Sequence, residues 1–393
     1  MTSIPEQSQR PTFLRTILPL SLGIALWAGT LTGACVSSST QGRSVTPVYH
    51  AAVEDWFAGR SLYSGGGMHY FPQFVFLFAL FHFLPTPYGD ILWRVLSASL
   101  LAWTLWQLLR LLNSRWTAVM YALASLLALR SCFSAMRNGQ ANVAFAAVAA
   151  LAAVCLARAR WRSASLWLLV SVVLKPIGLV LIFFAAPVYR KLCFRLAVGL
   201  SVLALLPFFL GHPSYVIAQY GQSVRHLFSL SATTENRFAD INGLLRALGV
   251  GINGRASQIV RTVAGLFTAA FWWWRARGKD EPDRAIFFLA LVTTFLMLFN
   301  PMTEENGYII VAPVIAVYAV RFLFVDHRPT LGWILACVSL LLSAVPDIYG
   351  RLYPTIGLWW HPLMILVFAA ALGLFASQQT SSCAGPNPFV ERA

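Results

Sequence analysis

Apolar residues fill most of this sequence in long runs, and polar residues gather in short joints between them. Windows of roughly 17–25 apolar residues are long enough to cross a bilayer as helices. Such windows lie near 15–36, 90–112, 116–135, 141–157, 193–210, 257–274, 284–300, 307–325, 331–347 and 357–377. Shorter runs at 70–85, 163–174 and 176–188 are harder to assign. The pattern predicts an all-α, polytopic integral membrane bundle of roughly 10–13 membrane elements. It forms one transmembrane domain over residues 1–378, with outer loops about 37–69 and 211–256. The end of the chain, QTSSCAGPNPFVERA at 379–393, is polar, Gly- and Pro-bearing, and reads as a disordered tail.

Composition agrees. Of 393 residues, 58% are hydrophobic and 11% charged, with a mean hydropathy of +0.67. A soluble protein carries roughly 25% charged residues, so this chain has too little polar surface for a water-soluble particle of its size. The net charge of +15 would suggest nucleic acid in a soluble domain. Here the basic residues lie in the joints, where they set orientation, so no nucleic-acid partner is expected. The clusters Arg158, Arg160, Arg162 and Arg190, Lys191, Arg195 are expected on the cytoplasmic side. Arg275, Arg277, Lys279, Arg284 and the pair Arg321, Arg328 join them, as do Arg10 and Arg15 near the start.

The opposite side then receives 37–69, 137–142, 211–256, 300–306 and 347–356. It also receives Lys175, if the helix breaks at Pro176 and turns back. One conflict follows. Counting through 70–85 gives Arg110 and Arg115 the wrong side, so either that run does not cross or one joint breaks the charge rule. The six cysteines show no CxxC spacing and read as small membrane residues. The first apolar run is longer than the 7–15-residue core of a cleaved signal.

Fourteen residues are acidic, and eight fall on the outer side in this topology: Glu54, Asp55, Asp90, Glu235, Asp240, Glu304, Glu305 and Asp347. In the first outer loop, Glu54, Asp55 and His50 stand close together among aromatics, which suits a saccharide face or the headgroup belt. In RNGQAN at 137–142, Asn138, Gln140 and Asn142 beside Arg137 offer donors and acceptors for sugar hydroxyls, or caps for the next helix. The segment at 211–256 has Glu235, Asn236, Arg237, Asp240 and Asn242 at its polar centre, and loops of that length tend to carry function.

Lys175 is sharper. It is one of only three lysines, with Lys191 and Lys279, and it interrupts the apolar run SASLWLLVSVVLKPIGLVLIFFAAP. Ionisable residues at such depth are functional candidates. Pro176 frees backbone groups that only protein or a watery cavity can satisfy. A phosphate anion would satisfy both features; a lysine snorkelling to the interface is the alternative. In TEEN at 303–306, Glu304, Glu305 and Asn306 could serve acid–base chemistry or cap the following helix.

The order of these motifs resembles glycosyltransferase family 87. VYHAAVEDWFAGRSLY comes first, then YFPQ with an apolar run ending in LP, then GQAN, LKP and NPMTEENGY. The resemblance runs from about residue 15 to 325. It implies a GT-C-type fold in the cell (inner) membrane, an active site on the extracytoplasmic face, and a polyprenyl-phosphate-linked sugar donor. The family pattern usually has an aspartate as catalytic base shortly before the VY. Here Arg43, Ser44, Val45, Thr46 and Pro47 stand there, with no carboxylate. Asp55 or Glu54 could substitute, as could Glu304 or Glu305, or transferase activity has been lost. The resulting expectation is a membrane glycosyltransferase moving a hexose or pentose to a glycolipid or glycan acceptor. Its base would come from Glu304, Glu305, Asp55 and Glu54. Lys175, with Arg137 or Arg237, would bind the donor phosphate. Asn138, Gln140, Asn142, Asn306 and Asp240 would contact sugar. No cofactor is expected, and adjacency of Glu304 and Glu305 is poor support for a metal. A lipid-linked-sugar flippase and an inactive scaffold are the alternatives.

Overall fold

A computed structural model describes residues 13–42, 44–65, 67–231 and 238–383. Among these residues the chain forms sixteen α-helices and no strand. The bundle has two unlike ends, one carrying the arginine-rich joints. From it α1 (Phe13–Gln41) runs to the far end, where α2 (Thr46–Phe57) and α3 (Gln73–His82) lie. α4 (Tyr88–Arg110) returns, α5 (Thr117–Arg137) climbs back, and α6 (Ala141–Ala157) descends through the centre. Every residue of α6 is buried. Its many alanines let α4, α7 and α13 approach closely.

Two shorter helices follow, α7 (Trp161–Leu174) and α8 (Gly178–Val188). At 14 and 11 residues they rise only about 21 and 17 Å, against a hydrocarbon core of about 30 Å. They form a hairpin broken at Pro176, as the sequence predicts. Gly178 permits its tight closure, because a Cβ there would lie 2.5 Å from the backbone of Ser171 and Val172. α9 (Cys193–Leu205) leads back to the far end, where α10 (Pro213–Ser231) and α11 (Ile241–Ala247) occupy the long outer segment. α12 (Gly254–Ala276), α13 (Glu281–Phe299), α14 (Ala312–Phe324), α15 (Pro329–Tyr349) and α16 (Ile356–Cys383) complete the bundle. A 3-10 helix, Glu305–Ile310, precedes α14.

Among the described residues, seven helices are long and apolar enough to cross a membrane: α1, α4, α5, α9 with its flanking turns, α13, α15 and α16. α3, α6, α7, α8 and α14 are shorter apolar helices. The window at 257–274 is more amphipathic than expected of a span. α12 buries Arg261 and Arg275 while exposing Ile259, Val263, Leu266 and Phe267. At the other terminus, α16 continues to Cys383, five residues into the segment expected to be disordered.

The conflict over 70–85 has a structural answer. α3 has ten residues, about 15 Å of helix, and both its ends stay at the far end of the bundle. Tyr70 before it meets Tyr49, and His82 at its end meets His50. α4 then starts at that same end, with Trp93 donating to the Gly139 carbonyl at 2.8 Å. Its last residues reach the basic end, where Gln107 accepts from Arg158 at 2.7 Å and Trp116 packs on Phe324. The run therefore dips without crossing, and Arg110 and Arg115 join the other basic joints.

Candidate active site

At the end opposite the basic joints, a cavity of about 280 Å³ opens among six parts of the chain. Val45, Val48 and Tyr49 of α2 and its approach form one wall, with Gly67, His69 and Tyr70 beside them. Gln140 and Asn142 come from the start of α6, and Lys175, Pro176 and Ile177 from the α7–α8 turn. Leu227 and Leu230 of α10 close one side, and Asn300 to Glu304 another. Joints far apart in sequence thus meet at one place.

Lys175 ends α7 in an extended conformation, φ −155° and ψ 140°. Its Nζ donates to Asn142 Oδ1 at 2.6 Å. Asn142 in turn donates from Nδ2 to Gln140 Oε1 at 2.8 Å and to the Asn306 carbonyl at 3.4 Å. The amide trio therefore orients the lysine. The link between α5 and α6 is itself pinned. Val45 donates its N–H to the Asn138 carbonyl at 2.9 Å, and Gly139 takes φ +64° against Thr46 and Arg94. A Cβ at Gly139 would be strained twice, by its dihedral and by contact at 2.8 Å.

The two glutamates of TEEN part company. Met302, with φ 60°, makes a turn uncommon for a residue with a side chain, and Thr303 Oγ1 donates to the Asn300 carbonyl at 2.9 Å. From that turn Glu304 faces the cavity and is the one carboxylate among the described residues lining it. Its charge acts on Lys175, Tyr49 and Tyr70, yet it forms no ion pair with the lysine. Glu305 turns away, its carboxylate filling the space beside Gly357 at the start of α16. Burial there, together with the charge of Asp347, pushes its pKa up.

Among the described residues, several candidates lie away from the cavity. Glu54 and Asp55 follow Tyr49 by five and six residues, a helical phase that points them off the face bearing Val45, Val48 and Tyr49. Asp55 instead pairs with Arg60 at 2.7 Å. Arg137 bonds Asn138 Oδ1 and Ser134. Asn138 and Asn306 contribute backbone carbonyls to the framework. Asp240 is 1% exposed, caps α11 through the N–H groups of Asn242 and Gly243, and pairs with Arg261 at 2.7 Å. Arg237 lies outside the described residues. At the place of the usual family aspartate, Ser44 Oγ accepts from Arg94 at 2.8 Å, with Thr46 Oγ1 2.8 Å away. The histidine after Tyr49 also looks elsewhere: His50 bonds His82 at 3.0 Å and Asp90 at 3.1 Å.

The three polar-tipped aromatics that line the cavity, Tyr49, His69 and Tyr70, were not among the candidates. The signal was in the sequence, since polar-tipped aromatics recur where the first outer loop re-enters the apolar region.

Residues 69–301 match the pattern of glycosyltransferase family 87, well over half of the chain. The chain belongs to this family. Comparison with curated proteins finds no match. This family-87 protein is therefore a multi-pass membrane glycosyltransferase, taking a sugar donor and a lipid or glycan acceptor in the membrane. The matched region holds Gln140, Asn142, Lys175, His69 and Tyr70 but stops at Pro301. Tyr49 and Glu304 stand outside it, and the fold brings them to the same cavity.

Proposed function

We propose that this glycosyltransferase moves a hexose or pentose from a polyprenyl-phosphate donor to a glycolipid or glycan acceptor, at the extracytoplasmic face of the cell membrane. One observation carries the reading: Lys175 and Glu304 line one cavity without touching, at the end of the bundle opposite the arginine-rich joints. Glu304 acts as general base and takes the proton of the acceptor hydroxyl. The acceptor oxygen forms a bond to the anomeric carbon as the bond from that carbon to the phosphate oxygen breaks. The electron pair leaves with the lipid phosphate, which needs no proton. Lys175 stabilises the charge that develops there, and Asn142 with Gln140 holds the ammonium in place. A GT-C-type arrangement accords with short helices that meet at a recessed site.

The test is transfer by purified protein with a panel of labelled polyprenyl-phosphate sugars. Transfer to glycolipid supports the enzyme; movement of the lipid-linked sugar across a vesicle without transfer supports a flippase. Sidedness is checked with single cysteines in sealed cells. A cysteine replacing the exposed Ser64 is expected to react with an impermeant thiol reagent, and one replacing the exposed Gly278 is not. The reverse labelling would put the cavity on the cytoplasmic face.

A further inference from the structure

Two phenols face this cavity, and their hydrogen bonds run in one direction. The Ala141 N–H donates to the Tyr49 hydroxyl at 3.2 Å, and the Tyr49 and Tyr70 hydroxyls lie 2.9 Å apart. A backbone amide cannot accept, so the Tyr49 oxygen is the acceptor in the first bond. Each phenol has one proton to give. Tyr49 is 2% exposed, and its remaining partner among the described residues is Tyr70. Were Tyr70 the donor, the Tyr49 proton would be orphaned in the more deeply buried of the two side chains, which is the costlier arrangement. The chain therefore runs from Ala141 to Tyr49 to Tyr70.

It ends on a donor without an acceptor. The Tyr70 hydroxyl meets no other group among the described residues, although the residue is only 9% exposed and lines the cavity. The ring is fixed. It stacks on Phe74 with centroids 4.4 Å apart, and the Tyr70 carbonyl accepts from the Tyr63 hydroxyl at 2.8 Å. A rigid, buried donor on a residue that lines a cavity is an arrangement for meeting a ligand oxygen.

The kind of oxygen follows from the charges. Glu304 acts electrostatically on both phenols, as it does on Lys175, but Lys175 is not among the charges acting on the phenols, so their side of the cavity carries no compensating cation. A phosphate drawn to that side would meet like charge, and Lys175 offers it a better partner. A neutral carbohydrate hydroxyl has no such penalty. We propose that Tyr70 is a substrate-contacting residue whose O–H donates to a sugar hydroxyl oxygen, with Tyr49 as the positioning residue that sets its direction. This deepens the glycosyl-transfer reading and rests on it.

The test uses the full chain in detergent, with Tyr70→Phe and Tyr49→Phe. Polyprenyl-phosphate hexose donors and alkyl glycoside acceptors are each supplied intact and in monodeoxy forms. Tyr70→Phe leaves the Tyr49 proton without its acceptor and Tyr49→Phe leaves the Ala141 N–H unpaired, so both variants are expected to fold but to unfold at a somewhat lower temperature, and rates are compared per folded molecule. Tyr70→Phe should lower kcat/KM by about 3- to 30-fold on intact sugars. On the one monodeoxy sugar that lacks the contacted hydroxyl, the variant and wild type should become equal. Tyr49→Phe should show the same selective pattern, more weakly. Equal losses on every sugar, or no loss, overturn the proposal. Glycoside binding by titration calorimetry runs alongside. A wild type that binds sugar but transfers none sinks the transfer reading, and the Tyr70 comparison is then decided on Kd. A wild type that binds no sugar sinks both.

Discussion

The two ends of this bundle treat charge differently. At the basic end, Arg321 is 5% exposed and fully engaged: Asp283 and Asp326 each hold it at 2.8 Å, and the Phe375 ring lies 5.1 Å away. Arg284 beside it pairs with Glu281 at 3.0 Å and donates to the carbonyls of Ala276 and Lys279. At the cavity end, the Lys175 ammonium has three protons to give, and one amide oxygen takes one of them. The Glu304 carboxylate accepts no hydrogen bond from a described residue. The difference teaches how to tell a strut from a tool. A charge whose partners are all supplied by the chain holds the fold, and a charge left short of partners is waiting for something the chain does not contain. Asp240, tied to Arg261 at the cavity end itself, belongs with the struts.

The comparison breaks most visibly at Glu304. Glu304→Gln keeps size and hydrogen bonding while removing basicity, so turnover is expected to fall about 10²–10⁴-fold in a normally folded protein. A variant within tenfold of wild type would remove Glu304 as the base. Lys175→Met should reduce turnover by about 10²–10³-fold, measured with saturating labelled donor. Lys175→Arg is not expected to rescue it, because a planar fork cannot replace a point charge against Asn142. Normal kinetics in the Met variant would make Lys175 a strut after all. At the basic end the outcome should invert. Arg321→Met leaves two carboxylates facing each other and is expected to lose about 3–5 kcal/mol of stability, read as a lower unfolding temperature in detergent. Its turnover per folded molecule should stay near wild type, and a selective loss of activity would blur the distinction between the ends. The smallest effect is expected at Glu305→Gln, within about twofold of wild type. That control separates the neighbours of TEEN, one facing the cavity and the other lying beside Gly357.

Much of this was legible in the chain. Apolar windows give the helices, because in a bilayer length decides what can cross, and the arginine joints mark one end of the bundle. Lys175 was legible because a lone lysine in an apolar run has few structural excuses. The α3 dip was not, since a ten-residue helix and a crossing one look alike in hydropathy and differ only in where the ends pack. The first-loop carboxylates were offered as bases for a related reason, and the structure places them off the cavity. Nearness in sequence suggested nearness to the chemistry, yet five and six residues beyond Tyr49 the helix has turned away. Arg137 neighbours the right amides but does not line the cavity, and two of its bonds go to its own helix end. Tyr70 could be seen only as an aromatic; its value lies in the direction of a hydrogen bond that begins at Ala141, and no spacing rule encodes that.

The stop of α7 at Lys175 has an electrical consequence. With α7 starting at the hydrocarbon boundary on the basic side, its 14 residues would rise about 21 Å and leave Lys175 roughly 9 Å short of the other face of a core about 30 Å thick, close to a third of its depth. On the proposed reading, a lipid phosphate reaching it from outside crosses up to that fraction of the transmembrane voltage. With the cytoplasm negative, each negative charge carried inward is opposed by at most about 0.7 kcal/mol per 100 mV. Donor affinity should then weaken by up to about threefold per charge in energised vesicles, as an imposed potassium diffusion potential would reveal. An affinity indifferent to voltage would mean that water fills the cavity well enough to carry the outside potential down to Lys175.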